Sequence, residues 1–352
     1  MRISSSARAA ALTLALFAGC SRASRDPLVG AGATFPYPVY SRWFSGWLAQ
    51  GGRSINYFSV GSAEGIRRLA AGEADFAATD GLGDDPRLRA FAARCGAVLR
   101  VPTVLGAVAV GYALPDSALR LDGETLAAIF LGRITRWDDP RLRALNPGRP
   151  LPALPIAVVA RADGSGTATV FDGFLARQSN AWRIARAAAL ELPHWPVGTR
   201  VAGNEGVAAA IRSLPGAIGF LELSYAEQNR IAVAAIRNAA GSFVAPSVAS
   251  ISAAGAERLT LDRADTVRSL LDVRSPSAYP ISSLTWLLIP TGYRDAERGT
   301  NLIAFVRWAI TQSPHTRAPA LEYAPLPGPV AASVDQALRA VRPTTCATSP
   351  KE

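Results

Sequence analysis

The sequence predicts an α/β fold built around a parallel sheet. In three places a short apolar run leads through a glycine-bearing turn into apolar residues with helical spacing. These three cycles begin at Leu28, Ser54 and Ile156. Ligands of such sheets bind beyond the carboxyl ends of the strands. We therefore expect the three turns to carry the functional residues.

The first cycle runs from Leu28 through glycines 30 and 32 to Thr34, which we expect to cap a helix. Pro36 and Pro38 are compatible with the first turn of that helix. An apolar stripe at helical spacing predicts its length: Val39, Tyr40, Trp43, Phe44, Trp47 and Leu48.

In the second cycle, Ser54 to Val60 is predicted to be a strand, and Gly61-Ser62 turns into a helix that ends near Gly72. The next predicted strand, Asp75 to Ala78, presents Asp80 just beyond its end. The order of strand, turn, helix and strand is typical of a parallel α/β sheet.

The third cycle has a buried strand, Ile156 to Ala160, followed by the turn Arg161 to Thr167 and a helix over Thr169 to Leu175. Glycines let a backbone approach a ligand closely, and the free amides of a first helical turn bind anions. The turn is not a Walker A loop, and Ser165 does not stand in a Gly-x-Ser-x-Gly nucleophile elbow.

Two longer apolar runs, Val104 to Ala113 and Leu284 to Ile289, are predicted to be strands that cross between two lobes and back. Both are too short to cross a membrane. Residues 235–275 are predicted to be polar and helical, and a last helix is predicted to end near Val341.

The N-terminus resembles a secretory signal, because Arg2 and Arg8 precede a short apolar stretch and small residues. We predict a signal peptide of lipoprotein type over residues 1–19, lipidation of Cys20 and a tether over residues 20–27. An ordinary cleaved signal is the alternative. Cys95 and Cys346 can pair in an oxidising compartment or remain as two thiols.

The net charge of +10 comes almost entirely from arginine in a chain of 352 residues. The arginines are scattered, with no run of five basic residues and no basic stripe interleaved with aromatic residues. Nucleic-acid binding is therefore disfavoured. Only two histidines are present, His194 and His315, and neither stands in a metal-ligand pattern, so we expect no metal and no cofactor.

The three turns offer hydroxyl groups beside free helix N-termini, which together suit a tetrahedral oxyanion. The hydroxyl groups belong to Thr34, Ser62, Ser165 and Thr167. Arg161 adds a planar fork of donors, and Asp163 can pair with Arg161 and hold that fork in place. Asp80 adds an acceptor, which can bind a proton of hydrogen phosphate that sulfate lacks. Surface roles for both carboxylates, as a turn residue or a helix cap, are the alternatives.

Several motifs in this chain resemble those of the periplasmic phosphate-binding proteins that serve phosphate ABC transporters, and they occur in that family's order. They are Gly30 to Pro36, Gly61-Ser62, Thr79-Asp80, Leu131 to Asp139, Arg161 to Thr167 and Leu214 to Gly219. The resemblance covers nearly all of the chain after the signal.

The resemblance implies a two-lobed periplasmic binding protein fold, the type II venus flytrap, in which each lobe is a mixed sheet flanked by helices. Lobe 1 would comprise residues 28–103 and 284–352, and lobe 2 residues 104–283. The implied phosphate ligands are Thr34, Phe35 through its backbone N–H, Ser62, Asp80, Arg161, Ser165, Gly166 and Thr167. The implied partners are inorganic phosphate and an inner-membrane permease with its ATPase, and the protein would be a periplasmic monomer, anchored by Cys20 to a membrane.

One departure stands beside Ser62, where the family usually carries small residues and this chain has Ala63 and Glu64. We expect Glu64 to point to solvent or to pair with Arg67 or Arg68. Other functions to be weighed are binding of a sulfate-like oxyanion, phosphate sensing, and a secreted phosphatase. The phosphatase is disfavoured because Ser165 has no evident base nearby.

Overall fold

The computed structural model describes residues 26–81, 85–115, 118–189, 195–259, 270–312 and 318–346. The predicted signal peptide, Cys20, His194 and His315 lie outside these residues. No helix within the described ranges is both long and apolar enough to span a bilayer.

Strands and helices alternate along most of the chain. The strands are β1 (Leu28–Gly32), β2 (Ile55–Ser59), β3 (Phe76–Thr79), β4 (Val98–Tyr112), β5 (Arg120–Leu121), β6 (Ala157–Arg161), β7 (Thr199–Val201), β8 (Ala217–Glu222), β9 (Ala232–Val233), β10 (Ala235–Arg237), β11 (Phe243–Val244), β12 (Ser282–Pro290), β13 (Gly292–Tyr293), β14 (Ala324–Pro325) and β15 (Thr344–Thr345). The helices are α1 (Tyr37–Ala49), α2 (Ser62–Ala70), α3 (Pro86–Cys95), α4 (Gly123–Phe130), α5 (Pro140–Leu145), α6 (Gly166–Gln178), α7 (Asn180–Ala187), α8 (Gly203–Ser213), α9 (Leu223–Gln228), α10 (Val248–Arg258), α11 (Ala296–Thr311) and α12 (Gly328–Ala340), with a 3₁₀ turn at Pro319–Leu321.

All three predicted strand–turn–helix cycles are present. β1 pairs in parallel with β2 and with β3, and β6 pairs in parallel with β7 and with β8. β12 joins β3 in antiparallel orientation, which makes the sheet mixed. The carboxyl ends of β1, β2 and β6 lead to the three predicted turns, and Asp80 follows β3. Parallel neighbours end at the same edge of a sheet.

The long strand β4 connects the two halves of the sheet, in the order β2-β1-β3-β12-β4-β8-β6-β7. Its residues Val98 to Ala107 pair with β12, whereas Val108 to Tyr112 pair with β8. β14 also pairs with the first part of β4, at Val104 and Leu105. Both predicted apolar strands are present, and β4 pairs with both halves of the sheet, whereas β12 pairs only with β3 and the first part of β4. The crossing between lobes and the lobe boundaries given above stay predictions.

Two local predictions are wrong. Thr34 does not cap a helix, since α1 begins three residues later with Pro36 at its N-cap. Residues 235–244 are not helical but form the β10–β11 hairpin, which pairs with β5. The side chain of Asn238 accepts hydrogen bonds from the amides of Ala240 and Ser242, and this local turn competes with a helix.

Aromatic packing fixes α6, the helix that opens at the third turn. The Phe171 ring stacks on Phe220 of β8 with centroids 4.5 Å apart, and Phe130 of α4 meets Phe171 edge-to-face at 5.0 Å. All three side chains are fully buried. The N-terminus of α6 is therefore held at a fixed place beside the strand ends.

Cys95 and Cys346 form a disulfide across 251 residues of sequence. It ties the end of α3 to the segment after β15, and β15 in turn pairs with β13 through Gly292 and Thr344. The sequence left open a disulfide or two free thiols, and the structure contains the disulfide.

We predict that the double substitution Cys95→Ser and Cys346→Ser lowers the free energy of unfolding by about 2–4 kcal/mol, because the bond closes a long loop in the unfolded chain. Urea unfolding of the oxidised protein and the variant measures this difference. A variant as stable as the wild type would contradict the prediction, as would a non-reducing peptide map that finds both thiols free.

Candidate anion-binding site

Thr34 and Phe35 follow β1, and two tyrosine hydroxyls hold their backbone. Tyr225 donates to the Thr34 carbonyl at 2.8 Å, and Tyr323 donates to the Phe35 carbonyl at 2.6 Å. The carbonyl and N–H of a trans peptide point in opposite directions. Because Tyr225 fixes the Thr34 carbonyl, the Phe35 N–H is aimed to the opposite side, as a backbone donor to a ligand requires.

Ser62 and Asp80 lie beyond β2 and β3. Gly61 has a left-handed backbone (φ 91°), which allows the sharp turn that places Ser62 at the first position of α2. The Ser62 hydroxyl is buried and has no hydrogen-bond partner in the part of the chain that is described. Asp80 is 6% exposed, and its Oδ1 accepts a hydrogen bond of 2.8 Å from the Thr285 hydroxyl.

Arg161 is the last residue of β6, and its side chain is only 1% exposed. Asp163 accepts from its Nε at 2.7 Å and from its Nη2 at 2.5 Å, so the predicted pair is present and is bidentate. The Nη1 group is buried without a partner among the described residues. Asp163 therefore fixes the plane of the guanidinium and leaves one edge available.

Ser165, Gly166 and Thr167 open α6. Ser165 is its N-cap and accepts from the Ala168 amide at 3.1 Å, so it is Ser165, not Asp163, that caps this helix. A Cβ placed on Gly166 would lie 2.6 Å from the Ser62 hydroxyl oxygen and 2.8 Å from Asp80 Oδ2. Only glycine allows this approach, which brings the start of α6 against both residues. Thr167 is buried next to it.

The structure thus brings all the predicted site residues into two walls that touch. The first wall is Thr34, Phe35, Ser62 and Asp80, and the second wall is Arg161, Asp163, Ser165, Gly166 and Thr167. The Ala63 amide donates to the Gly164 carbonyl at 2.9 Å, and Arg161 Nη2 reaches Thr34 Oγ1 at 3.4 Å.

Sequence reasoning missed five residues that support the first wall: Asn204, Glu222, Tyr225, Thr285 and Tyr323. Asn204 is fully buried at the start of α8, and its Nδ2 donates to Thr34 Oγ1 at 2.7 Å. The glycine-bearing turn Asn204-Glu205-Gly206 signalled a helix start here, but no local pattern links Tyr225 or Tyr323 to Thr34 and Phe35, which lie far away in the sequence.

Burial raises the pKa of Asp80 to about 7, although the Thr285 hydroxyl and the charge of Arg161 act in the opposite direction. The buried carboxyl therefore changes between an acceptor and a donor near neutral pH.

Glu64 does not enter the site. Its carboxylate receives hydrogen bonds from Arg67 Nε at 2.8 Å and from Arg68 Nε at 2.9 Å. These two bonds lower the pKa of Glu64 to about 2. The expectation that Glu64 pairs with the arginines on its own helix is confirmed.

The sequence of this chain is similar to a family model and to known proteins. Residues 20–313 match the family model described as the PBP superfamily domain. The phosphate-binding protein PstS of Haemophilus influenzae is 35% identical over 315 residues, which cover 89% of this chain and 92% of that protein. The chain belongs to the PstS family of phosphate-binding proteins. PstS of Pasteurella multocida, another member of the family, is 35% identical over 303 residues, 85% of this chain and 86% of that protein.

Solved structures confirm the two-lobed periplasmic binding protein fold of the family. The high-affinity periplasmic phosphate-binding protein PfluDING, solved with phosphate, superposes with a TM-score of 0.69 at 24% identity, over 88% of this chain and 93% of that one. At this level of identity the likeness concerns the fold alone.

We predict that ligand-free protein loses stability as the pH rises from 5 to 8, and that Asp80→Asn reduces this loss. The folded-state pKa of Asp80 is raised above its ordinary value, so its stabilising contribution is complete below the unfolded pKa and is lost as the pH rises through about 7. Between pH 5 and 8 the wild type should lose up to about 3 kcal/mol more of its free energy of unfolding than the variant, since each pH unit below the folded pKa contributes about 1.4 kcal/mol.

Urea unfolding in phosphate-free buffer at several pH values measures the effect. Glu73→Gln, which removes an exposed carboxylate, is the control and should keep the wild-type slope. If Asp80→Asn also keeps that slope, the Asp80 carboxyl is not buried in the ligand-free protein.

Proposed function

We propose that this protein binds inorganic phosphate between the two walls and delivers it to an ABC transporter for import. Membership of the PstS family supports this function. The relatives from H. influenzae and P. multocida are named phosphate-binding proteins, and PfluDING was solved with phosphate bound. The proposed ligands are the residues given above: Thr34, Phe35, Ser62, Asp80, Arg161, Ser165, Gly166 and Thr167, with Asp163 in support.

The observation that carries the proposal is a pair of buried donors without partners, one on each wall. Ser62 Oγ and Arg161 Nη1 have no hydrogen-bond partner among the described residues. Buried polar groups are nearly always hydrogen-bonded, so unpartnered donors where two walls meet favour a ligand rich in acceptors. The nearby carboxyl of Asp80 adds an acceptor that a proton-bearing oxyanion can satisfy.

A role in binding rather than catalysis fits the chemistry of the second wall. The Ser165 oxygen caps α6, and no base donates to or accepts from it among the described residues. Within those residues, no group of three or more His, Cys, Asp or Glu side chains could hold a metal ion. The family favours a periplasmic protein, and the monomeric state, the lobe boundaries and the Cys20 anchor are part of the same proposal.

We predict that the purified protein binds phosphate tightly and sulfate roughly 10⁴-fold more weakly at pH 8, because sulfate leaves the ionised Asp80 unpartnered. Selectivity should fall towards pH 6, since a protonated Asp80 can donate to sulfate. Asp80→Asn should lose most of the discrimination at both pH values. Calorimetric titration with each anion measures these affinities, and equal affinities for the wild type would exclude the role given to Asp80.

We predict that Arg161→Ala weakens phosphate binding at least about 30-fold, because a desolvated charge partner contributes roughly 2–5 kcal/mol. Arg141→Ala is the matched control. Arg141 also pairs with an aspartate two residues away, Asp139, but its side chain is 52% exposed. The control should bind phosphate as the wild type does. Unchanged binding by a folded Arg161→Ala variant would move the site elsewhere.

A further inference from the structure

The carboxyl group of Glu222, at the end of β8, is fully buried. The groups that act on it are the Tyr323 hydroxyl, the amides of Ser224 and Tyr225, and the carboxyl of Asp80. None of these is a cation, and Asp80 disfavours a second negative charge. An ionised carboxylate buried without a cation is costly, so these surroundings favour the neutral acid.

The two contacts of the Tyr323 hydroxyl bear independently on whether the Glu222 carboxyl is protonated. Its Oη lies 2.6 Å from the Phe35 carbonyl oxygen and 2.7 Å from Glu222 Oε2. Each of these short oxygen–oxygen contacts needs a hydrogen between its atoms. A tyrosine hydroxyl supplies one hydrogen and a carbonyl none. When the hydroxyl hydrogen is directed at the Phe35 carbonyl, a protonated Glu222 carboxyl group supplies the hydrogen of the second contact.

Glu222 is linked to both proposed ligand residues after β1, Thr34 and Phe35, through one intermediate residue each. Tyr323 connects the Glu222 carboxyl to the Phe35 carbonyl. The backbone N–H of Glu222 donates to Asn204 Oδ1 at 2.9 Å, and Asn204 Nδ2 donates to Thr34 Oγ1 at 2.7 Å. These links connect the end of β8 to Thr34 and Phe35, which follow β1, and to Tyr323, which precedes β14. β1 pairs with β2, and β14 pairs with the first part of β4, so both strands lie in the half of the sheet that does not contain β8.

We propose that Glu222 is a positioning residue that acts as a neutral acid, and that capture of phosphate is accompanied by uptake of a proton at its carboxyl group. This inference rests on the proposed function. When the walls separate, water reaches the carboxyl and it ionises near neutral pH. When they meet, the carboxyl is buried again, takes up a proton and donates it in a hydrogen bond to Tyr323.

Closure of the two walls depends on pH through Glu222. Burial raises the pKa of Glu222 well above its ordinary value in the closed arrangement. Its contribution to closure is therefore complete at low pH and is lost as the pH rises through the pKa of the closed form. Asp80, Tyr225 and Tyr323 are the titratable groups that face it, and the two tyrosines stay neutral because burial raises their pKa values further.

The test compares the wild type with Glu222→Gln, whose side chain keeps a donor and an acceptor but cannot ionise. Phosphate affinity is measured by calorimetry from pH 6 to 8.5. The ratio of the wild-type Kd to the variant Kd cancels the ionisation of phosphate itself and should rise with pH, by up to about tenfold per unit. Titrations in buffers of different ionisation enthalpy should show that the wild type takes up more protons per phosphate, by up to about one.

Glu227→Gln is the matched control, since Glu227 is an exposed glutamate on α9 near Glu222. Its Kd should follow the wild type at every pH. A ratio for Glu222→Gln that stays flat with pH, or equal proton uptake in the two proteins, would overturn the inference. A wild type that binds no phosphate overturns the proposed function and this inference together, whereas pH-independent differences overturn the inference alone.

A second test uses only the wild-type protein and so does not depend on whether a variant folds. Infrared spectra of phosphate-bound protein with ¹³C-labelled glutamate should show a protonated carboxyl band at pH 8 that shifts with the label. Aspartate, including Asp80, keeps its unlabelled frequency. If every labelled glutamate gives only carboxylate bands, Glu222 is ionised and the inference is wrong.

Discussion

The burial of Arg161 is the constraint on which the rest of the site depends. A guanidinium that is 1% exposed needs compensation for its lost hydration, and Asp163 provides only part of it. Asp163 occupies Nε and Nη2, so Nη1 remains for a ligand. An anion that binds at Nη1 makes contact between the walls favourable. On the proposed function, phosphate is therefore both the cargo and a structural component of the closed site.

The two walls can meet this closely because they do so through backbone. Gly164 and Gly166 carry no side chain at the points where a Cβ would lie within 2.3 Å of Ala63 and 2.6 Å of Ser62. The Ala63 amide then pairs with the Gly164 carbonyl. A contact made by backbone leaves the side chains of Ser62, Asp80 and Arg161 free to face a ligand. It also gives the Ala63 side chain room, because Ala63 packs against a glycine, Gly164.

Much of this arrangement could be predicted from the sequence, because the informative signals are local. A glycine turn after an apolar run located Ser62, Asp80 and Arg161, and the alternation of strands and helices predicted parallel pairing. The errors have local causes too, such as the Asn238 turn that replaced a predicted helix. The supporting residues escaped prediction because tertiary contacts define them: Tyr323 meets Phe35 across 288 residues of sequence.

Two buried carboxyl groups, those of Asp80 and Glu222, lie beside the proposed anion site. Each of them would repel the ligand when ionised. Protonation reduces this repulsion, since burial raises the pKa of both carboxyl groups. Asp80 has its pKa raised to about 7 and can accept the proton that hydrogen phosphate carries. In the protonation state proposed for Glu222, its carboxyl group donates to Tyr323 and adds no charge, while Tyr323 holds the Phe35 backbone. Arg161 then remains the dominant charge in the site. Arginine only donates hydrogen bonds, so discrimination between oxyanions that do and do not carry a proton depends on Asp80.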